Sequence, residues 1–325
     1  MELDVATYVD GVRRGDRAIL GRALTLVESD QPAHFAIAGD LLTALLPHAG
    51  AALRVGITGA SGSGKSTLIE TLGLRLTGSG ARVAVLAVDP TSGLSGGSIL
   101  GDKTRMGELA QDARAFIRPS PSRGALGGVA HKTRESIIVC EAAGYEVVLV
   151  ETVGVGQSEV EVADMVDCFV VLMLPNAGDE LQGIKRGIVE HADLIAINKA
   201  DGALEAAAMH AKQQYSMALT FLAPREPCWK PEVHAVSART GLGIDRLWER
   251  VGAHRDALQG AGRFAELRSD QAVRWMWRTV EDEVRRRVRD GHDVAALSAA
   301  LEAEVRRGQT PPTVAAARLL ELLLP

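Results

Sequence analysis

Gly59, Gly64, Lys65 and Ser66 stand in the order G-x-x-x-x-G-K-S within LRVGITGASGSGKSTL, residues 53–68. An apolar run ends just before the first glycine and a helical apolar pattern begins just after the serine, which is the context a phosphate-binding loop requires. The chemistry is anion capture. Glycines let successive backbone N–H groups turn toward one point, and a helix N-terminus adds partial positive charge there. Lys65 can reach the β- and γ-phosphates of a nucleoside triphosphate, and the Ser66 hydroxyl can ligate Mg²⁺. Gly59, Ser61, Gly62, Ser63, Gly64, Lys65, Ser66 and Thr67 are therefore the candidate phosphate contacts. A mere Gly/Ser linker is disfavoured because strand, spacing and helix agree.

Three acidic residues are candidates for the metal and the switch: Asp89, Asp102 in GDKTRM, and Glu151. Mg²⁺ takes oxygen ligands and usually keeps several waters, so one or two carboxylates suffice. Glu151 closes the apolar run Val147 to Val150 and is followed by TVGVGQSE. There, Thr152 and Gly154 place flexible backbone where a γ-phosphate can be sensed and released on hydrolysis.

Asn198-Lys199-Ala200-Asp201 follows the apolar run Leu194 to Ile197. An aspartate carboxylate accepts two hydrogen bonds from guanine, one from the ring N–H and one from the exocyclic amine. Adenine presents the wrong pattern, and the unpaired carboxylate rejects it by several kcal/mol, on the order of a thousandfold or more. Alone, N-K-x-D is also a common polar turn; downstream of a phosphate loop and at a strand end it is a base reader. Ser237 and Ala238, after the run Val233 to Val236, can complete the pocket with backbone N–H groups. The stretch Leu174 to Gly187 is dense in glycine and charge and joins a strand to a helix. It reads equally as a functional loop or a solvated connection.

These groups need a frame. Near-continuous apolar strands at Val55–Thr58, Arg82–Val88, Ala115–Arg118, Glu146–Val150, Cys168–Leu174, Leu194–Ile197 and Val233–Val236 alternate with helical patterns. Such a chain folds as α/β, a P-loop NTPase with a mostly parallel sheet covered by helices. Ligands then lie at the carboxyl ends of the strands, where most of these motifs fall. A helical arm (1–50) precedes the nucleotide domain (51–260), and a helical segment (261–325) follows it. In the latter, Val273, Trp277, Val280, Val284 and Val288 repeat at helical spacing, either as internal packing or as a subunit interface with Trp275 and Trp277.

Composition narrows the function. The net charge of −5 argues against nonspecific nucleic-acid binding, and the tail balances 11 basic against 10 acidic side chains. No apolar run reaches the length of a membrane span. The N-terminus lacks the order of a signal peptide. Cys140, Cys168 and Cys228 form neither a metal cluster nor a disulfide framework, as expected in a cytoplasmic protein.

Together the motifs resemble the MeaB-type GTPases associated with methylmalonyl-CoA mutase, a group that includes the methylmalonic aciduria type A protein. The matching residues are GASGSGKST (59–67), VDPTS (88–92), LGDKTRM (100–106), ETVGVGQSE (151–159), LPNAGDELQGIKRG (174–187) and NKAD (198–201). Ser61 stands where many relatives carry proline. The resemblance implies a GTPase that gates adenosylcobalamin delivery to methylmalonyl-CoA mutase and protects it, the cobalamin being carried by the partner. It implies GTP/GDP and Mg²⁺ as ligands, and a homodimer through C-terminal helices. It further implies Ser66, Asp89, Asp102 and Glu151 at the metal or switch. Lys65, Glu151, Asp179 and Lys185 are the catalytic candidates, the last two coupling hydrolysis to the mutase. Asn198, Lys199 and Asp201 would read guanine. Rival readings are an ATPase or kinase of basic amino-acid transport, a small-molecule kinase, and a metal-inserting GTPase, the last disfavoured by the lack of a His or Cys cluster.

Overall fold

The computed structural model describes residues 4–89, 106–121, 126–152, 158–175, 186–290 and 292–323. Its centre is a parallel sheet of seven strands: β1 (Leu53–Gly59), β2 (Val83–Asp89), β3 (Ala115–Pro121), β4 (Val147–Thr152), β5 (Cys168–Met173), β6 (Leu194–Ile197) and β7 (Glu232–Ala235). Their order is β3-β2-β4-β1-β5-β6-β7, every pairing parallel. β1 is central, with Ile57 opposite Glu151 on one side and Gly59 opposite Leu172 on the other. Parallel register sends every strand's carboxyl end to one edge. β4 runs two residues beyond the apolar run, through Glu151 and Thr152, because the ladder with β2 continues from Ala87 and Val88.

The described residues form twelve α-helices: α1 (Val5–Arg13), α2 (Arg17–Val27), α3 (Pro32–Leu45), α4 (Lys65–Gly78), α5 (Leu126–Ala142), α6 (Ser158–Ala163), α7 (Arg186–Glu190), α8 (Glu205–Leu219), α9 (Ile244–Gly260), α10 (Arg263–Asp290), α11 (His292–Arg306) and α12 (Pro312–Leu323). Asp4 and Asp16 cap α1 and α2 by accepting backbone N–H bonds, and Pro32 opens α3 at its first turn. On one face of the sheet, Val55 and Ile57 pack with Leu68, Ile69 and Leu72 of α4 and with Leu247 and Val251 of α9. Each such buried side chain contributes about 1.5–3 kcal/mol of transfer free energy. On the other face, α5 carries the N-terminal arm: α1, α2 and α3 pack on it and bury Leu20, Leu24, Leu41 and Leu45. The buried Glu28 accepts from Arg118 Nε of β3 at 3.2 Å and from the Ser136 hydroxyl of α5 at 3.3 Å, so the arm is tied to the sheet by charge as well.

The chain divides into two compact units, Met1–Arg268 and Ser269–Pro325. In the second, α11 packs against α12 and buries Leu301 and Ala315. Its stretch of α10 leaves Val273, Met276, Trp277, Val280 and Val284 exposed along one stripe. Among the described residues no helix is long and apolar enough to cross a membrane.

Candidate functional site

β1 ends in the glycine loop, and α4 starts from it. Gly64, the residue before α4, has φ +93°, and no side chain caps the helix, so its first-turn N–H groups face the loop. A Cβ at Gly64 would fall on the side-chain amide of Asn198, so glycine is required for space as well as for backbone angle. Lys65 is buried, and its Nζ donates to the carbonyls of Gly59 at 2.7 Å and Ala60 at 3.0 Å. This folds the ammonium back over the helix end, where positive charge already concentrates. The Ser63 hydroxyl is buried with no hydrogen-bond partner among the described residues, an unmet donor within the loop.

The second half of the site lies at the ends of β6 and β7. A cavity of about 430 Å³ is lined by Gly64, Thr67, Asn198, Lys199, Asp201, Leu204, Ser237 and Ala238, with Arg239 at its rim. Thus Gly64 and Thr67 of the phosphate loop and the 198–201 motif share one cavity. The Asn198 amide donates to the Ser63 carbonyl at 2.7 Å and accepts from the Ala238 N–H at 2.9 Å. It braces the two walls against each other. Lys199 has φ +62°, the only positive φ outside glycine among the described residues, and its side chain is exposed. Such strain persists only where the surroundings enforce it, here between buried Asn198 and Ala200. Asp201 accepts from the Ser237 hydroxyl at 2.8 Å and from the Arg239 guanidinium. The Ser237 bond first, then Arg239, hold its carboxyl below the ordinary carboxylate range, so it is ionised at neutral pH. Thr71 of α4 donates to the Ala238 carbonyl at 2.7 Å and Arg75 to that of Gly241 at 3.0 Å. α4 thereby ties the glycine loop to the 237–241 wall of the cavity.

On the β4 side of β1, away from β6 and β7, the Ser66 hydroxyl donates to Glu151 Oε1 at 2.8 Å, and Glu151 is buried. Behind them the hydroxyls of Thr58 and Thr152 meet at 2.6 Å, buried between β1 and β4. The donor set of Ser66 and Glu151 is oxygen only, which fits a hard divalent cation such as Mg²⁺. Of the other sequence-predicted residues, Ser61 and Gly62 lie in the loop itself. Asp102, Gly154, Asp179 and Lys185, and the side chain of Asp89, lie outside the described residues.

A family model described as "Methylmalonyl Co-A mutase-associated GTPase MeaB" matches residues 20–293. The chain belongs to this family. A putative GTPase of Caulobacter vibrioides is 54% identical over 318 residues, covering 98% of this chain and 97% of that one. The mitochondrial methylmalonic aciduria type A homolog of Mus musculus is 45% identical, over 96% of this chain and 77% of its own. The crystal structure of a LAO/AO transport system kinase superposes with a TM-score of 0.80 at 39% identity, covering 99% of this chain and 98% of that one.

In this MeaB-family chain, three features of the site carry no signal in sequence spacing. The Thr58–Thr152 hydroxyl pair joins residues 94 positions apart. The Asn198 brace crosses 135 positions to Ser63. Arg239 directly follows Ser237 and Ala238, but its partner, Asp201, lies 38 positions earlier. The serine–alanine pair was the one hint available for that wall.

Proposed function

We propose that this GTPase works as a nucleotide-timed chaperone of a methylmalonyl-CoA mutase, gating adenosylcobalamin delivery and protecting the enzyme, with the cobalamin carried by the mutase. Family membership supports the partner. The observation that supports the nucleotide is Asp201, an ionised carboxylate in one cavity with the phosphate loop. Its two oxygens suit the paired donors of guanine and repel the adenine edge. The loop N–H groups and Lys65 hold the phosphates, Asp201 orients the base, and the Lys199 stem can lie along the purine face. Ser66 and Glu151, with Asp89 or Asp102, are the residues that would hold Mg²⁺. When bound, that ion neutralises charge on the phosphate oxygens.

Hydrolysis on this reading is slow in the isolated chain. The carboxylate at the end of β4 accepts from the Ser66 hydroxyl. A partner that engages the segment carrying Asp179 and Lys185 supplies positioning and charge. The exposed stripe of α10, with Trp277 at 59% exposure, suits a second copy of the chain and hence a homodimer. Free thiols at Cys140, Cys168 and Cys228 suit the cytoplasm.

Likeness to the LAO/AO transport system kinase favours a second reading, a kinase or ATPase of basic amino-acid transport. A pull-down with GTP, GDP and a non-hydrolysable GTP analogue separates the two. A mutase band that changes with the nucleotide supports the chaperone. Co-purification with a permease, or calorimetry showing ATP bound as tightly as GTP, overturns it.

A further inference from the structure

Asp201 has a second suitor. The Arg239 guanidinium reaches its Oδ2, while the Ser237 hydroxyl holds Oδ1 at 2.8 Å. The two partners differ in freedom. Ser237 is fully buried, whereas the Arg239 side chain is 81% exposed. The backbone beneath Arg239 is fixed: the Ser237 N–H bonds to the Leu242 carbonyl, the Gly241 N–H to the Ser237 carbonyl, and the Ala238 N–H to Asn198. The exposed arginine side chain, lining the cavity, is the part of this wall left free to move.

The chemistry of the two candidate partners is alike. The Watson–Crick edge of guanine presents a ring N–H and an amine on one carbon, which is a guanidine fragment. Arg239 presents the same pair of donors with a full charge added. Both seek the same carboxylate, and Ser237 already occupies part of it. Resting on the guanine reading of the site, we infer that Arg239 is a release residue: an internal stand-in for the guanine edge that takes Asp201 as the base departs and yields it as the base enters. Asp201 then always has a partner along the exchange path, so the barrier to losing the nucleotide falls. The same contact weakens equilibrium binding, because every entering nucleotide first displaces it. An exposed Arg–Asp pair is a modest interaction. The effect is therefore a tuning of residence time, about two- to fivefold. Guanine and competing bases meet the same obstacle, so Arg239 sets exchange rate and not purine choice.

The opposite role is equally concrete. If Arg239 instead stacks on the bound base, removing it loosens the nucleotide. The test is release of N-methylanthraniloyl-GDP from the full chain, chased with excess GDP, together with its equilibrium affinity. Wild type is compared with Arg239→Met, which keeps the apolar stem, and Arg239→Lys, which keeps the charge without the fork. Release from Arg239→Met is expected to slow about two- to fivefold, with affinity tightened to match and Arg239→Lys between. The gap between wild type and Arg239→Met closes at about 1 M KCl, where the ion pair is screened. Unchanged or faster release from Arg239→Met overturns the inference while leaving the guanine reading intact. Failure of wild type itself to bind the labelled GDP overturns both.

Discussion

Asn198 donates its side-chain amide to the carbonyl of Ser63 at 2.7 Å, joining the end of β6 to the phosphate loop. Its other atom takes the Ala238 N–H, and Asn198 is 2% exposed. Position 198 therefore ties together two walls of the cavity. Asn198→Ala leaves the Ala238 N–H and the Ser63 carbonyl unmet in a buried place, at a cost of about 1–3 kcal/mol each. The expected outcome is a lowered melting temperature and about tenfold or greater loss of GTP and GDP affinity alike. Thermal melts and calorimetry on one preparation check it. A loss confined to GTP would show that position 198 acts on the γ-phosphate instead.

Asp201→Asn replaces one acceptor oxygen by a donor amide. The 2-amino group of guanine then faces another donor, while the 2-carbonyl of xanthine gains a partner. GTP affinity is expected to fall on the order of a hundredfold or more, and xanthosine triphosphate to bind better than GTP. Competition between the two nucleotides measures this directly. Retention of the wild-type preference would remove Asp201 from base recognition.

Ser66 and Glu151 make the matching case for the metal. Their 2.8 Å contact places a hydroxyl and a carboxylate side by side where β1 and β4 end. Ser66→Ala is expected to raise the Mg²⁺ concentration giving half-maximal GTPase rate about 10- to 100-fold, with GDP binding in a chelator little changed. Glu151→Gln weakens the Mg²⁺ response in the same direction by removing charge. An unchanged magnesium curve in Ser66→Ala would take that hydroxyl away from the ion.

How much of this was legible before folding depends on distance along the chain. The phosphate loop lies within eight consecutive residues, Gly59 to Ser66, and its glycines and lysine carry their meaning locally. The parallel sheet was legible because strands buried on both faces leave continuous apolar runs, as in Val147 to Val150. The pairings that shape the pocket were not. Arg239 and Arg118 look like ordinary surface charges in sequence, yet one reaches Asp201 and the other a buried glutamate 90 positions away. Charge carries no address, so only the topology selects its partner. Strand ends were blurred for a related reason. Glu151 is polar, and its place inside β4 is set by ladder hydrogen bonds rather than by hydropathy.

Glu135 gives the stability of the fold a pH dependence separate from the nucleotide site. It lies on α5, beneath the N-terminal arm, and burial raises its pKa from 4.5 to about 7, opposed in part by the nearby Lys132. The folded chain therefore holds a proton that the unfolded chain has released across that window. Folded binds more protons than unfolded there, so stability falls as pH rises from about 4.5 to about 7 and is level above it. The loss is at most about 3 to 4 kcal/mol, since each tenfold change in proton affinity is worth about 1.4 kcal/mol. Glu135→Gln cannot ionise and keeps the shape of the neutral acid. Its melting temperature at pH 8 is expected to exceed that of wild type by several degrees, with the two converging near pH 4.5. Melts across this range, run without nucleotide, decide the point: parallel curves for the two proteins would mean that Glu135 is ionised in the fold, and that burial costs it little.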